Sequence, residues 1–277
     1  MPLPPVANSR IRCREIVGDE TFVALDKDAG VVTQPGAGHK EDSLLNGLFA
    51  LEGAVHERLG SDRDWGLLHR LDKDTSGIVL VARTKEGYDA IRAQFEERSI
   101  EKTYIAVCAG RLPSAEGVCR APLNEVRRGE MKVSVPVQRG EACVTHWRTI
   151  GAANGRLVVA CSIETGKLHQ IRAHLAFLGA AIEGDSVYRP LLPPNTSASR
   201  RGSAPPLLRL HAWRIAFAHP VTGNRVEIES PLPKAMVESM NLAGGSAPGA
   251  SSTLHPRLAD ALSQLRSPTW WTLRTKR

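Results

Sequence analysis

Apolar residues in this chain fall into short runs and helical stripes, separated by turn-forming residues. Thr21-Phe22-Val23-Ala24-Leu25 reads as a strand, and the turn Lys27-Asp28-Ala29-Gly30 follows it. Leucines at 44, 45, 48 and 51 recur at helical spacing, with Ser43 placed as the cap. The charged stretch Glu57 to Asp64 reads as a loop. Ile78-Val79-Leu80-Val81-Ala82 is strand-like. Thr84 then caps a helix through about Arg98, with Tyr88, Ile91 and Phe95 as its buried stripe and Lys85, Arg92, Glu96, Glu97 and Arg98 on its solvated face. Lys102 to Val107 reads as another strand, and its period of two puts Lys102 and Tyr104 on one side.

Further on, Leu123 to Ala142 reads as a basic loop, NEVRRGEMKV, closed by the turn QRGEA. Strand patterns return at Val144–Arg148 and Leu157–Ile163. Apolar residues at 168, 171, 175 and 178 mark a helix that Gly179 is placed to end; Arg172 lies near its start, off the apolar stripe. Residues 189–206 are rich in Pro and Ser and form a long loop. A strand from Leu208 through Phe217 turns at HPVTGN into Val226–Ile228. Beyond about residue 241 the composition shifts to Gly, Ser, Ala and Pro, ahead of a tail with Trp270, Trp271, Arg274, Lys276 and Arg277. The expected organisation is a tail or edge strand over 1–20, one domain over 21–241, and a flexible linker and tail over 242–277.

Composition narrows the functional classes. The 277 residues hold 42% hydrophobic and 23% charged side chains, as in ordinary globular proteins. Lys and Arg number 36 against 29 acidic residues, and the formal charge of +7 favours a polyanionic partner such as nucleic acid. Five cysteines, at 13, 108, 119, 143 and 161, show no metal-like spacing. Their odd number and the lack of a secretory pattern point to a reducing, cytoplasmic setting. No run of about 18 apolar residues exists, so no membrane span is expected.

The densest chemistry lies in His69-Arg70-Leu71-Asp72-Lys73-Asp74-Thr75-Ser76-Gly77, a charged turn between two apolar runs. An arginine beside a carboxylate keeps it ionised, which suits a nucleophile. An ordinary surface ion pair fits the same pattern. Arg127, Arg128 and Lys132 are spaced to follow a phosphate backbone, and a solvated hairpin fits them equally.

HRLDKDTSG followed by an apolar strand closely resembles the catalytic motif of the RluA-like RNA pseudouridine synthases. ETGKLHQIRAHLAFLGAAIEGDSVY resembles that family's third motif, with Lys167 where arginine is usual. The strand and turn around Lys27 resemble its first motif, with Asp28 in place of proline, and the LHA…HPVTG segment resembles its closing hairpin. The resemblance runs from about residue 21 to 233. It implies an α+β pseudouridine synthase fold: a mixed, mostly antiparallel sheet with flanking helices and a central catalytic cleft. Asp72 becomes the nucleophile, Tyr104 the ring lying against the target uracil, and Arg172 the partner of Asp72. Arg70 fills the gap left by the flipped base, Lys102 supports the site electrostatically, and His69, Arg127, Arg128 and Lys132 contribute to RNA binding. His169 and His174 are expected to be structural.

The implied reaction isomerises uridine in ribosomal or transfer RNA to pseudouridine, with no metal and no cofactor. No obligatory protein partner is implied, and a monomer is expected. Many family members carry a small RNA-binding domain ahead of the catalytic one; only about 20 residues precede the first strand, so that domain is expected to be missing. A base-flipping glycosidase is the competing enzyme, but it generally needs two carboxylates, and here Asp72 has only Asp74 two residues on. A silent RNA-binding protein on the same scaffold is disfavoured by the joint presence of Asp72, Tyr104 and Arg172.

Overall fold

The computed structural model describes residues 3–188, 207–243, 253–267 and 270. In chain order the elements are β1 (Arg14–Gly18), β2 (Phe22–Lys27), α1 (Leu44–Leu59), β3 (Ser76–Ala82), α2 (Lys85–Glu96), β4 (Glu101–Gly110) and β5 (Glu116–Cys119). They continue as β6 (Leu123–Arg128), β7 (Met131–Pro136), β8 (Thr145–Ala153), β9 (Arg156–Ile163), α3 (Gln170–Phe177) and β10 (Ala180–Ile182). The last are β11 (Leu210–Ala218), β12 (Arg225–Glu229), α4 (Lys234–Ala243) and α5 (Pro256–Gln264). The class is α+β, with mostly antiparallel strands, as the family resemblance implies. Two compact units result: Met1–Lys102 with Ala212–Pro231, and Thr103–His211 with Leu232–Arg277. The divisions fall inside β4, inside β11 and after β12. No composition change marks them, because a strand reads the same on both sides of such a boundary.

In the first unit β2 pairs antiparallel with β3 from Phe22↔Ala82 to Lys27↔Gly77, and every residue of both strands is buried. Continuous apolar runs of this kind belong to strands covered on both faces. Tyr88 and Ile91 of α2 pack with Phe22, Ile78, Leu80, Ile215, Phe217 and Ile228 in one cluster. Thr84 caps α2 by accepting the Gly87 N–H, as predicted. Gly77 opens β3 at φ +111°, and a Cβ there would lie 2.3 Å from the Ala212 carbonyl oxygen of β11. Only glycine permits that approach.

Of the two readings of residues 1–20, a tail or an edge strand, the second holds for Arg14–Gly18, which pairs with β2 with a bulge between Glu15 and Val17. Asn8 is also tied down, its amide donating to Glu41 O and its backbone N–H to Asn46 O. One expectation in this unit is corrected. Glu57 to Asp64 is not a loop, because α1 continues to Leu59 and a 3-10 helix spans Ser61–Gly66. Burial of His56 and Leu59 holds the extra turn in place against its charged neighbours.

In the second unit β9 lies between β4 and β8, antiparallel to both, and β5 pairs with the far side of β8. Of the two readings of the basic segment, the hairpin holds: β6 and β7 turn at Gly129, and the chain turns again at QRGEA, where Glu141 pairs with Leu123. Val126↔Val133 and Leu123↔Pro136 pair across the hairpin, and the buried Leu123 and Val133 seat its base on Ala173 and Ala176 of α3. Within the range expected to be linker and tail, residues 253–267 and 270 are described and are not linker. Leu258, Leu262 and Leu265 recur at helical spacing and are buried, forming α5 against β8, where Gly151 leaves room for Leu258. Trp270 is buried too, its ring facing the Arg148 guanidinium at 5.5 Å. The loop over 189–206, the Gly/Ser/Ala/Pro run over 244–252 and Trp271 lie outside the described residues.

Candidate active site

The loop bearing Asp72 is held by backbone bonds on both sides of that residue. Before it, the Leu71 N–H donates to Thr33 Oγ1 at 3.0 Å and the Thr33 hydroxyl donates to Leu71 O at 2.8 Å. After it, Lys73 O accepts the Gly30 N–H at 2.9 Å and Lys27 Nζ at 3.0 Å. The Thr75 N–H closes the turn on Asp72 O at 3.1 Å. With its backbone fixed from both directions, Asp72 presents a half-buried carboxylate.

Lys27 is the unexpected member of this arrangement. Its side chain is fully buried, yet its ammonium group donates to Asp28 O at 2.9 Å and Val31 O at 2.6 Å as well as to Lys73 O. Burial lowers its pKa to about 8, against the opposing pull of Asp72, Asp74 and Asp28. Lys27 is thus a buried cation close enough to Asp72 to feel its charge. In the sequence Lys27 reads as part of a turn, since a lysine beside aspartates looks solvated. Only its burial shows otherwise.

His69 Nε2 accepts the Leu80 N–H at 3.0 Å, and its ring packs on Phe95 at 5.2 Å. Burial, then the nearby Lys102 charge, press its pKa down to about 3, so the ring is neutral. His69 thus ties the loop to β3, and that ring nitrogen is occupied by main chain. Lys102 Nζ stands 5.5 Å from the centre of the Phe95 ring, its pKa lowered to about 8 by burial and by Arg98. Arg70 is exposed. His69, Arg70, Asp72 and Lys102 all belong to the first unit.

Tyr104, Arg127, Arg128, Lys132 and Arg172 belong to the second. Tyr104 is buried on β4, opposite Cys161. Arg172 is buried in α3, whose residues 170–176 are all buried, so lying off the apolar stripe does not expose it. It grips Asp185 through two parallel bonds, Nε to Oδ2 at 2.7 Å and Nη2 to Oδ1 at 3.0 Å. Burial raises the Asp185 pKa, but Arg172 and the Tyr188 and Val187 amides outweigh it, and the net shift is downward. Asp185 and Tyr188 were legible only as part of the GD-x-x-Y signature, without roles.

Gln170 and His174 fasten α3 to its surroundings. The Gln170 amide donates to Val144 O and Thr145 Oγ1 and accepts from Thr165 Oγ1. His174 Nε2 lies 2.9 Å from Ala121 O and Nδ1 lies 2.8 Å from Thr145 Oγ1, so both ring nitrogens are engaged structurally. On the β6–β7 hairpin, Arg127 and Lys132 are paired and share a face, Arg128 pairs with Met131 on the other, and all four are exposed. Lys132 also lies 3.5 Å from Glu125.

The RNA pseudouridylate synthase family profile matches residues 21–177, which include the Asp72 loop and the HQIR segment of α3. The chain belongs to that family. It is 33% identical over 241 residues to ribosomal large subunit pseudouridine synthase D of Zymomonas mobilis, covering 85% of this chain and 75% of that protein. It is 36% identical over 220 residues to the protein of that name from Nitrosomonas europaea, covering 79% of this chain and 61% of the relative. Human RNA pseudouridylate synthase domain containing 1 shares the fold, with a TM-score of 0.66, 20% identity and coverage of 92% and 95% of the two chains. This pseudouridine synthase is accordingly an isomerase acting on RNA. Among the described residues, no helix is long and apolar enough to cross a membrane.

Proposed function

We propose that this pseudouridine synthase isomerises a specific uridine of large-subunit ribosomal RNA, with Asp72 as its nucleophile. The observation that carries this reading is the fixed loop: main chain on both sides of Asp72 is bonded to Thr33, Gly30 and Lys27, which holds its half-buried carboxylate in one place. Relatives named for the large ribosomal subunit favour that RNA over transfer RNA.

The target uridine leaves its stack, at a cost of a few kcal/mol, and Arg70 occupies the space it vacates. Asp72 acts on the flipped nucleotide, and the bond between N1 and the ribose breaks. The uracil turns, its carbon 5 bonds to the ribose, and the proton on carbon 5 is lost as N1 gains one. Atoms and oxidation state are conserved. Tyr104 supports the uracil ring during this turn. Arg172, its guanidinium set by Asp185, orients the Asp72 carboxylate and keeps it charged. Arg127, Arg128 and Lys132 meet the phosphate backbone.

Pseudouridine mapping on an unmodified large-subunit ribosomal RNA transcript tests this. The wild-type protein forms pseudouridine at a discrete position, and Asp72→Asn forms none while binding the transcript as before. Normal turnover by Asp72→Asn removes that residue from the mechanism. Release of free uracil replaces the isomerase with a hydrolase.

A further inference from the structure

Three parts of the second unit meet at Tyr188. Its hydroxyl accepts the Ser134 N–H at 2.9 Å and donates to the Ser134 carbonyl at 2.9 Å. One oxygen thus does for β7 what a neighbouring strand would do, pairing both main-chain groups of a buried residue. His169 Nδ1 lies 3.2 Å from the same hydroxyl, and its ring stands edge-on to Tyr188 at 5.7 Å. The hydroxyl carries a single proton. With that proton on Ser134 O, the third contact requires His169 to carry its own hydrogen on Nδ1. His169 is held at φ +52°, a left-handed start to α3.

The remaining sides of Tyr188 reach Arg172. The Arg172 guanidinium lies 5.4 Å from the tyrosine ring centre. The Tyr188 N–H donates to Asp185 at 3.0 Å, beside the Val187 N–H at 2.9 Å, on the carboxylate that grips Arg172. Direct contacts therefore run from the base of the cationic hairpin to Arg172, through residues only 1% (Ser134), 8% (Tyr188) and 4% (Arg172) exposed. The hairpin strands stay in register from Leu123↔Pro136 to Arg128↔Met131, so a force at the tip reaches the base.

We propose that Tyr188 is a positioning residue that couples engagement of RNA phosphates by the β6–β7 hairpin to the setting of Arg172. It acts through Arg172 and Asp185 and does not touch the substrate. Asp185 alone would orient the guanidinium regardless of where the hairpin sits; the tyrosine makes that orientation depend on it. The inference rests on the proposed function, in which Arg172 serves the reaction and the hairpin meets RNA.

A double-mutant cycle tests it, using an unmodified large-subunit ribosomal RNA transcript. Wild type, Tyr188→Phe, the Arg127→Ala/Arg128→Ala pair and their combination are compared for Kd and for single-turnover rate at saturating RNA. Tyr188→Phe lowers the saturating rate about tenfold and changes Kd less than about twofold. The hairpin pair weakens binding and also slows the saturated reaction when Tyr188 is present; in the Tyr188→Phe background it weakens binding alone. Additive effects on rate, or a wild-type rate for Tyr188→Phe, overturn the coupling.

Tyr188→Phe leaves two buried Ser134 groups unpaired, so a second measurement keeps the tyrosine intact. Amide exchange at Val187 and Tyr188 slows when RNA binds the wild-type protein, and does not slow in the RNA-saturated hairpin variant. Equal behaviour of the two proteins overturns the proposal. A wild-type protein that forms no pseudouridine in the transcript overturns the underlying functional reading instead.

Discussion

Arg172 and Asp185 form a buried, two-pronged ion pair, with Nε–Oδ2 at 2.7 Å and Nη2–Oδ1 at 3.0 Å. Two main-chain amides, of Val187 and Tyr188, complete the shell around that carboxylate. A pair this well satisfied sets direction more than it adds stability, because removing both charges from water offsets most of their attraction. Breaking it is another matter.

Asp185→Ala takes the two-pronged carboxylate partner from the buried Arg172 charge and destabilises the protein by roughly 3–5 kcal/mol, measured by urea unfolding at pH 7. The pH dependence follows from the lowered folded-state pKa of Asp185. Its contribution is fully present above the unfolded carboxylate value near 3.8 and is lost as pH falls through the lower folded value. Asp185→Asn removes that part of the acid loss. Parallel acid profiles for Asp185→Asn and wild type would show that the pair carries no linkage.

Lys27 gives the opposite limb. Its folded pKa of about 8 lies below the ordinary 10.5, so the buried charge opposes folding at neutral pH. That cost shrinks as pH rises from about 8 to about 10.5, and stability attributable to Lys27 increases across the same window. Lys27→Met lacks this rise. It also removes one of the two donors to Lys73 O next to Asp72, leaving only the Gly30 N–H, and slows pseudouridine formation about tenfold or more, with RNA affinity retained. Unchanged single-turnover kinetics in Lys27→Met would separate Lys27 from the set of the Asp72 loop.

Gly77→Ala places a methyl group 2.3 Å from Ala212 O and costs about 3 kcal/mol or more, read from the urea midpoint. Gly30→Ala is the control. Gly30 also has positive φ, at +88°, but a Cβ there meets nothing within 4 Å, so only backbone strain of about 1–2 kcal/mol applies. Equal losses at both positions would mean that strain, and not the approach of β11, makes Gly77 necessary.

The hairpin cations predict a salt signature. Arg127→Ala and Arg128→Ala each reduce the slope of log Kd against log salt by about 0.7–0.9. Lys132→Ala reduces it by less, since Glu125 at 3.5 Å already neutralises part of that charge. Slopes identical to wild type would remove the hairpin from the RNA interface.

The amino-acid sequence by itself determined the family, through HRLDKDTSG and the HQIR segment, and most of the strands and helices around them. Such features are local: an apolar run, a capping Ser43 or Thr84, a glycine after a stripe all act within a few residues. Even the α5 helix was present as leucines at 258, 262 and 265, obscured by the Gly-rich run ahead of them. What only the tertiary structure decided is which polar residues lose their water. Lys27, Asp185 and Tyr188 look like turn residues in one dimension. They become fixed supports because distant segments bury them: Lys73 lies 46 residues from Lys27, and Ser134 54 from Tyr188. Burial raises the cost of leaving a polar group unpaired, and so makes these contacts obligatory in a way no local pattern records.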